Sequence, residues 1–318
     1  MNYKEDNLPL VSIVIPTYNN ATYIADAVKS VMVQDYPNLE IIIIDDASAD
    51  NTVEVIAEFT KDLRVKYIRN NENMGRVATY HKGLYDLAKG EWYLNLDGDD
   101  YLTDPSFISK AISWINTYPD VVMVTGACER LVNGKLHYTI SNKYDGELNN
   151  IDGKTFFLDL PSEKASFIHL ATLYNRTRAL ALNFYSQNII STDFESLFRL
   201  ALKGNIITYN KVVGVWRIHG NNESFLKSFA INEIIKNFKF IENSVLFGVT
   251  FLPKEKLKNW RKEYLIKIIE GYILQVLIRK PGNSFVIIMR LFLNYPLFFV
   301  QACIKIIKRK ARKLITLI

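Results

Sequence analysis

Residues 91–100 read Glu91-Trp-Tyr-Leu-Asn-Leu-Asp-Gly-Asp-Asp100. Trp92, Tyr93, Leu94 and Leu96 make a short apolar strand that runs straight into three carboxylates, Asp97, Asp99 and Asp100. Acidic groups packed this closely repel one another, so a folded chain tolerates them best beside a cation or in open solvent. With one Gly between them, Asp97 and Asp99 can turn toward the same point, and hard oxygen donors suit Mg²⁺ or Mn²⁺. An isolated Asp-Gly-Asp is also compatible with a solvated acidic turn, so the neighbouring stretches have to decide.

Upstream, Val11 to Pro16 is an almost continuous β-branched run, as expected of a parallel strand covered on both faces. A polar turn, Thr17 to Asn20, leads into a helix over 23–33 with Ile24, Ala27, Val28, Val31 and Met32 at helical spacing. The unit then repeats. Leu39 to Ile44 is a second strand, Asp45 to Ser48 a polar turn and 51–59 a helix; Val65 to Ile68 is a third strand followed by a helix over 77–88. This alternation predicts an α/β fold, a mostly parallel sheet flanked by helices, with the turns after Pro16, Ile44 and Leu96 gathered along one edge.

Composition narrows the class. The chain has 318 residues, 49% hydrophobic, enough for a large core, and two cysteines, Cys128 and Cys303, which is too few for a disulfide framework. The first seven residues carry no basic-then-apolar leader, which predicts a cytoplasmic catalytic part. The net charge of +6 is unevenly distributed: from Lys254 to Ile318 there are fifteen Lys and Arg against three acidic residues, so everything before it is net acidic. Because these basic residues alternate with long aliphatic runs, an anionic membrane surface fits them better than nucleic acid, which is not expected as a partner.

No Gly-x-Gly-x-x-Gly follows the first strand and no Gly-x-x-x-x-Gly-Lys-Ser/Thr occurs anywhere, which removes most support for dehydrogenase and P-loop chemistry. An acidic turn after strand two can accept hydrogen bonds from a base or ribose, and the next acidic pair can hold a metal against a diphosphate. At this point four blocks, Val11-Ser-Ile-Val-Ile-Pro-Thr-Tyr-Asn19, Ile41-Ile-Ile-Ile-Asp-Asp-Ala-Ser48, Asn73-Met-Gly75 and Gly90 to Asp100, resemble in order and spacing those of the family-2, GT-A-fold glycosyltransferases. The resemblance covers roughly the first hundred residues.

That resemblance implies that Pro16, Thr17 and Tyr18 line a nucleotide pocket and that Asp46 contacts the base. It makes Asp99 the metal ligand, with Asp97 near the ribose or the metal's waters, and Mn²⁺ or Mg²⁺ the cofactor. One departure stands out: many members continue the third block into Ala-Arg-Asn, whereas here Thr79, Tyr80 and His81 occupy those places, with Arg76 nearby as a substitute nucleotide contact. Further on, Ser191 to Gly204 reads as a loop entering a helix, and Asp193 matches the catalytic base of the family's acidic block, with Thr192 in place of its first member. A base is needed because a sugar hydroxyl is a poor nucleophile until its proton is accepted. Val213 to His219 resembles the family's Tyr/Trp-Arg-x-His segment, in which Arg217 would contact the diphosphate and His219 the metal.

The remaining elements are a helix starting at Thr103-Asp104-Pro105 and reaching Thr117, a strand over Val121 to Ala127, a hairpin around Asn133-Gly134, a structureless 139–166 and a strand over Ile168 to Tyr174. The expected organisation is a catalytic domain over 1–225, with a nucleotide half to about 100 and an acceptor half beyond it, then a helical basic and apolar tail over 226–318. In the tail, Ile231, Ile234, Ile235, Phe238 and Ile241 share a helix face. Its longest charge-free run, Leu291 to Ile304, falls short of the ~20 residues that span a bilayer. Interfacial helices, with Lys305, Lys308, Arg309, Lys310, Arg312 and Lys313 toward lipid headgroups, are one expectation; packing on the catalytic domain or in a homodimer is the other. Together these predict an inverting glycosyltransferase, peripheral on the cytoplasmic face of the inner membrane, moving a sugar from a UDP-sugar to a lipid-linked saccharide in bacterial polysaccharide synthesis. The rivals are a nonenzymatic protein of the same fold and a nucleotidyltransferase.

Overall fold

A computed structural model describes residues 8–220, 222, 230–279 and 281–315. Its first three units follow the hydrophobic pattern closely: β1 (Val11–Thr17), α1 (Ile24–Met32), β2 (Leu39–Asp45), α2 (Thr52–Ala57), β3 (Val65–Arg69), α3 (Arg76–Lys82) and β4 (Trp92–Asn95). Every residue of β1, β2 and β4 is buried, as continuous apolar strands covered on both faces require. Ile24, Ala27, Val28 and Val31 of α1 belong to the same core cluster as Val11, Ile13 and Ile15 of β1 and Ile41 and Ile43 of β2.

The second half adds β5 (Tyr101–Leu102), α4 (Phe107–Thr117), β6 (Val121–Val132), β7 (Lys135–Ile140), β8 (Leu148–Asp152), α5 (Gly153–Asp159), β9 (Thr172–Asn175), α6 (Arg176–Ala181), α7 (Thr192–Ala201) and β10 (Asn205–Ile218). One sheet runs in the order β3-β2-β1-β4-β9-β6-β10-β5, with β7 on β6 and β8 on β10. Its parallel character is concentrated in the first half, where β1 pairs with both β2 and β4 and β2 with β3. Beyond β4 only β10 on β6 is parallel, and the sheet is mixed overall.

Several second-half elements depart from expectation for local reasons. Helix α4 begins at Phe107 rather than at Pro105, because Asp104 accepts hydrogen bonds from Ser106 N, Ser106 Oγ and Lys110 Nζ and so closes a turn ahead of the helix. The stretch 139–166 is not structureless: it contains β8, which pairs antiparallel with Asn205–Tyr209, and α5. Residues His169–Ala171 form a single 3₁₀ turn, with Thr172 Oγ1 donating to Ile168 O, so only Thr172–Asn175 is strand. The hairpin at Asn133-Gly134 forms where expected, between β6 and β7, with both residues at positive φ.

The chain divides into two compact units. The first comprises residues 1–157, 163–188 and 192–219; the second comprises 158–162, 189–191 and 220–318. The boundary expected near 225 falls outside the described residues. The second unit contains α8 (Ile231–Asn237), α9 (Lys239–Gly248), α10 (Lys254–Arg279), α11 (Ser284–Asn294) and α12 (Pro296–Ile315). Ile234, Phe238 and Ile241 are buried, as their spacing predicts, while Ile235 is half-buried and the side chain of Ile231 lies outside the described residues. Of the basic residues expected to face lipid headgroups, Lys305 and Arg309 are more than half exposed and pair with buried Glu270 of α10, at 3.1 and 3.7 Å. The side chains of Lys310, Arg312 and Lys313 lie outside the described residues.

One polar knot sets where β4 begins. Glu40 is buried on β2 and accepts hydrogen bonds from Ser12 Oγ (2.6 Å), Lys89 N (2.6 Å) and Lys66 Nζ (3.1 Å), while Ser12 Oγ accepts from Gly90 N at 2.7 Å. Burial pushes the Glu40 carboxyl up, but the three hydrogen bonds outweigh it and hold the group below its ordinary 4.5. A carboxyl depressed by folding adds stability that is complete above its ordinary value and is lost as pH falls through the folded value. Glu40→Gln is therefore expected to cost about 1–3 kcal/mol at pH 7, with the gap from the parent narrowing below pH 4.5. Urea unfolding of both proteins across that range measures it, and a gap independent of pH would show that the charge is not what holds the knot.

Candidate active site

The C-terminal ends of β1, β2 and β4 lie side by side, so the turns after Thr17, Asp45 and Asn95 share one edge. The acidic loop reaches back to β1 through Gly98 N donating to Pro16 O at 2.9 Å. A Cβ on Gly98 would stand 2.8 Å from Thr17 Oγ1 and 2.9 Å from Thr17 Cβ, so only glycine lets the loop pass this close. Thr17 Oγ1 is itself buried without a hydrogen-bond partner, which marks the end of β1 as a place where a polar ligand atom would be satisfied. Pro16 is buried beside it, and Tyr18 is exposed.

Asp97, Asp99 and Asp100 each offer a carboxylate oxygen within 4.8 Å of the others. Burial, with the charge of Asp99 added, pushes Asp97 up to about 7, and the same causes in the same order raise Asp100 well above the carboxylate range. Such a cluster fits a hard divalent cation, which would relieve the repulsion these three groups now exert on one another. The protein supplies partial relief of its own. Asp100 Oδ1 accepts from Arg217 N (2.8 Å), Asp99 Oδ2 contacts His219 Nε2 (3.0 Å), and Asp97 Oδ1 accepts from Tyr80 OH (2.5 Å).

Both residues expected from the last strand are thus brought to the cluster, in different ways. His219 reaches Asp99 and stacks on Tyr23, with centroids 4.7 Å apart. The Arg217 guanidinium bonds Asp26 Oδ2 (2.8 Å) and Asp99 O (2.9 Å) and lies between the rings of Tyr23 and Tyr101. Arg76 lies over the ring of Tyr80, 5.2 Å from its centroid, and its charge opposes the rise of Asp97.

Asp46 is buried and heavily engaged. Its carboxylate accepts from Asn70 Nδ2 (2.8 Å), Met74 N (2.9 Å) and Gly75 N (2.8 Å). Gly75 sits at φ 85°, a conformation that favours glycine, and its amide donates to Asp46 from there. In this structure Asp46 therefore shapes the pocket edge by holding the 70–75 loop. Ser48 and Asp50 lace the adjoining loops: Asn19 N donates to Ser48 Oγ and Ala21 N to Asp50 Oδ2.

Asp193 stands in the first turn of α7. The helix is seated by buried Leu197, Phe198, Leu200 and Ala201, by Tyr185 N donating to Ser196 Oγ, and by the buried Glu195–Arg199 pair at 2.8 Å. Asp193 Oδ2 lies 3.9 Å from Nδ1 of His169, whose Nε2 meets Tyr185 OH at 2.9 Å; Tyr185 OH in turn meets Tyr174 OH at 2.7 Å. Burial pushes His169 down to about 4, so the imidazole is neutral at physiological pH. The ring of Tyr80 packs on both His169 and Tyr185, at 5.5 and 5.3 Å, so one aromatic wall runs from Asp97 to Asp193.

Sequence patterns did not single out Tyr80, His169, Tyr185, Tyr23 or Asp26. Tyr80 carried a signal all the same, since it occupies the middle place of the departed Ala-Arg-Asn triplet and its hydroxyl lands on the acidic cluster. Burial, with the charge of Asp97 added, keeps that phenol protonated and hence a donor. The close approach at Gly98 gives a test. Gly98→Ala is expected to cost about 1–3 kcal/mol through overpacking and to abolish any thermal shift that Mn²⁺ produces at the acidic cluster. Differential scanning fluorimetry with and without Mn²⁺ reads both, and an unchanged shift would separate the Gly98 loop from the ligand site.

The comparisons agree with this geometry. An uncharacterized glycosyltransferase of Haemophilus influenzae is 27% identical over 242 residues, 74% of this chain and 73% of that protein. A Campylobacter jejuni enzyme, GalNAc(5)-diNAcBac-PP-undecaprenol beta-1,3-glucosyltransferase, is 40% identical over 155 residues, 48% of each chain. Among solved structures, Staphylococcus aureus TarS 1-349 in complex with UDP-GlcNAc superposes with a TM-score of 0.66 over 92% of this chain and 89% of that one; at 16% identity the likeness is one of fold. The model of Glycosyl transferase family 2 matches residues 12–177, more than half of the chain, and the protein belongs to that family.

Proposed function

We propose that this glycosyltransferase moves a sugar from a UDP-sugar to a hydroxyl of a lipid-linked saccharide, with inversion at the anomeric carbon. The observation that carries the reading is the aromatic wall joining the acidic cluster to Asp193: Tyr80 bonds Asp97 and packs on His169, and His169 faces Asp193 at 3.9 Å. This chain of contacts joins the acidic cluster to Asp193, which supports the one as the leaving-group end and the other as the proton-accepting end of a single displacement.

In this scheme the diphosphate sits against the cluster and the base and ribose sit against Thr17, Tyr18 and the 70–75 loop held by Asp46. Asp97 and Asp99, with His219 beside Asp99, would hold Mn²⁺ or Mg²⁺, which supplies neutralisation of the charge that builds on the departing diphosphate. Asp193 accepts the acceptor hydroxyl's proton as its oxygen forms a bond to the anomeric carbon. The bond from that carbon to the diphosphate oxygen breaks, and the electron pair leaves with the nucleoside diphosphate. Neutral His169 offers Asp193 a dipole rather than a charge. Tyr80, donating to Asp97, holds that carboxylate in place.

Support for the donor comes from the TarS complex with UDP-GlcNAc, and support for the acceptor class from the Campylobacter enzyme, whose name specifies a diphospho-undecaprenol saccharide. The rival nucleotidyl transfer would release pyrophosphate instead of a nucleoside diphosphate. Turnover of UDP-sugars with undecaprenyl-diphosphate saccharides in Mn²⁺ is expected to release UDP and give a product of opposite anomeric configuration by NMR. Asp193→Asn should lower kcat by about 10²–10⁴-fold while leaving the UDP-induced thermal shift intact. Retention of configuration, pyrophosphate release or an undiminished kcat in the variant would each overturn the proposal.

A further inference from the structure

The last two helices have two apolar faces where a soluble helix pair needs one. On the inner face, Ile287 and Leu291 of α11 and Ala302 and Ile306 of α12 are buried. On the outer face, Phe285 (76% exposed), Val286, Met289, Phe292 and Leu293 (65%) make a second stripe along α11, and Leu297 (74%), Val300, Ile304 and Ile307 (66%) make one along α12. The spacing of Leu297, Val300, Ile304 and Ile307 repeats every three or four residues, which puts all four on one side of a helix. Scattered exposed apolar residues need no explanation, but a continuous ridge along two consecutive helices does.

Charge identifies what the ridge suits. Residues 284–315 contain seven Lys and Arg and no Asp or Glu. Glu270 draws Lys305 and Arg309 to the α10 side of α12. Toward α10 the helix is held by these pairs, while Leu297, Val300, Ile304 and Ile307 stay exposed. A protein partner covering so large an apolar face would not need a segment rich in basic residues and free of acidic ones, whereas an anionic bilayer offers hydrocarbon and phosphate together. Among the described residues no single helix is long and apolar enough to cross a membrane, and α11 and α12 together are bent by 119°. This shape matches two helices lying in the headgroup plane rather than one span.

We infer that the outer face of α11 and α12 docks the protein in the interface of an anionic phospholipid bilayer, with Phe285, Phe292, Leu293, Leu297 and Ile307 entering the acyl boundary. Docking is independent of the transferase reading, since it uses none of the residues assigned to the site. The test is flotation of the purified full chain with vesicles of phosphatidylcholine alone or mixed equally with phosphatidylglycerol. Binding to the anionic vesicles is expected, at least tenfold above the neutral ones, and is expected to weaken between about 0.1 M and about 1 M salt as the charges are screened. Phe292→Glu with Leu297→Glu should lower the bound fraction at least tenfold with an unchanged far-UV spectrum and melting point. Leu297→Ala with Ile307→Ala, which adds no charge, should lower it in the same direction by less. Absence of binding, equal binding to both vesicle types, or undiminished binding by both folded variants would overturn the inference. So would a dimer in analytical ultracentrifugation that the Glu variant dissociates and that does not bind vesicles; the face would then join two copies of the chain.

Discussion

Three carboxylates held within 4.8 Å of one another are the constraint around which the first unit is arranged. Like charges at that separation, partly removed from water, interact strongly enough to deform a loop unless something answers them. The chain answers each separately: Tyr80 from α3 for Asp97, His219 after β10 for Asp99, and the Arg217 amide for Asp100. These contacts hold the geometry of the cluster, and the charges of Arg76 and Arg217 oppose the rise of Asp97 and Asp100.

The positioning of that cluster descends from strand pairing. Central β1 is flanked in parallel by β2 and β4, so the residues that follow the three strands emerge at one level. The Ser12–Glu40 knot at the opposite end ties the backbone of Lys89 and Gly90 to β1 and β2, and thereby fixes where β4 starts. Precision at the ligand end is thus prepared at the other end of the strands, by a buried carboxylate that takes no part in the chemistry.

Much of this was legible in the order of residues. Val11 to Pro16 and Leu39 to Ile44 are runs whose only stable setting is a doubly covered strand, and Asp97-Gly-Asp99 declares itself by the cost of packing acids together. The antiparallel elements were harder, because β8 and β9 are four or five residues long and owe their conformation to partners more than fifty residues away. Arg217 shows the same limit in a side chain: its motif marks it for the site, while Asp26, Tyr23 and Tyr101, which surround its guanidinium, come from distant elements that no local pattern joins to it. His169 was invisible for the converse reason. It lies in an apolar stretch resembling a strand, and only the fold turns its ring toward Asp193. Asp46 was singled out by its block, and its observed partners are the Asn70 side chain and the amides of Met74 and Gly75, the last two in a stretch that the same resemblance treats as a separate block.

The long final strand of the first unit has a consequence for how the protein is made. Chains emerge from the ribosome N-terminus first, and the three strands that carry the acidic loops are complete by residue 95. The groups that steady Asp99 and Asp100, however, belong to residues 217 and 219. For more than a hundred residues of synthesis the nascent chain therefore carries Asp99 and Asp100 without these counterparts, with only Tyr80, the partner of Asp97, already made. Competence arrives with the last strand rather than accumulating along the chain, so a polypeptide released early would possess the signature motifs of the family and lack the means to hold them in order.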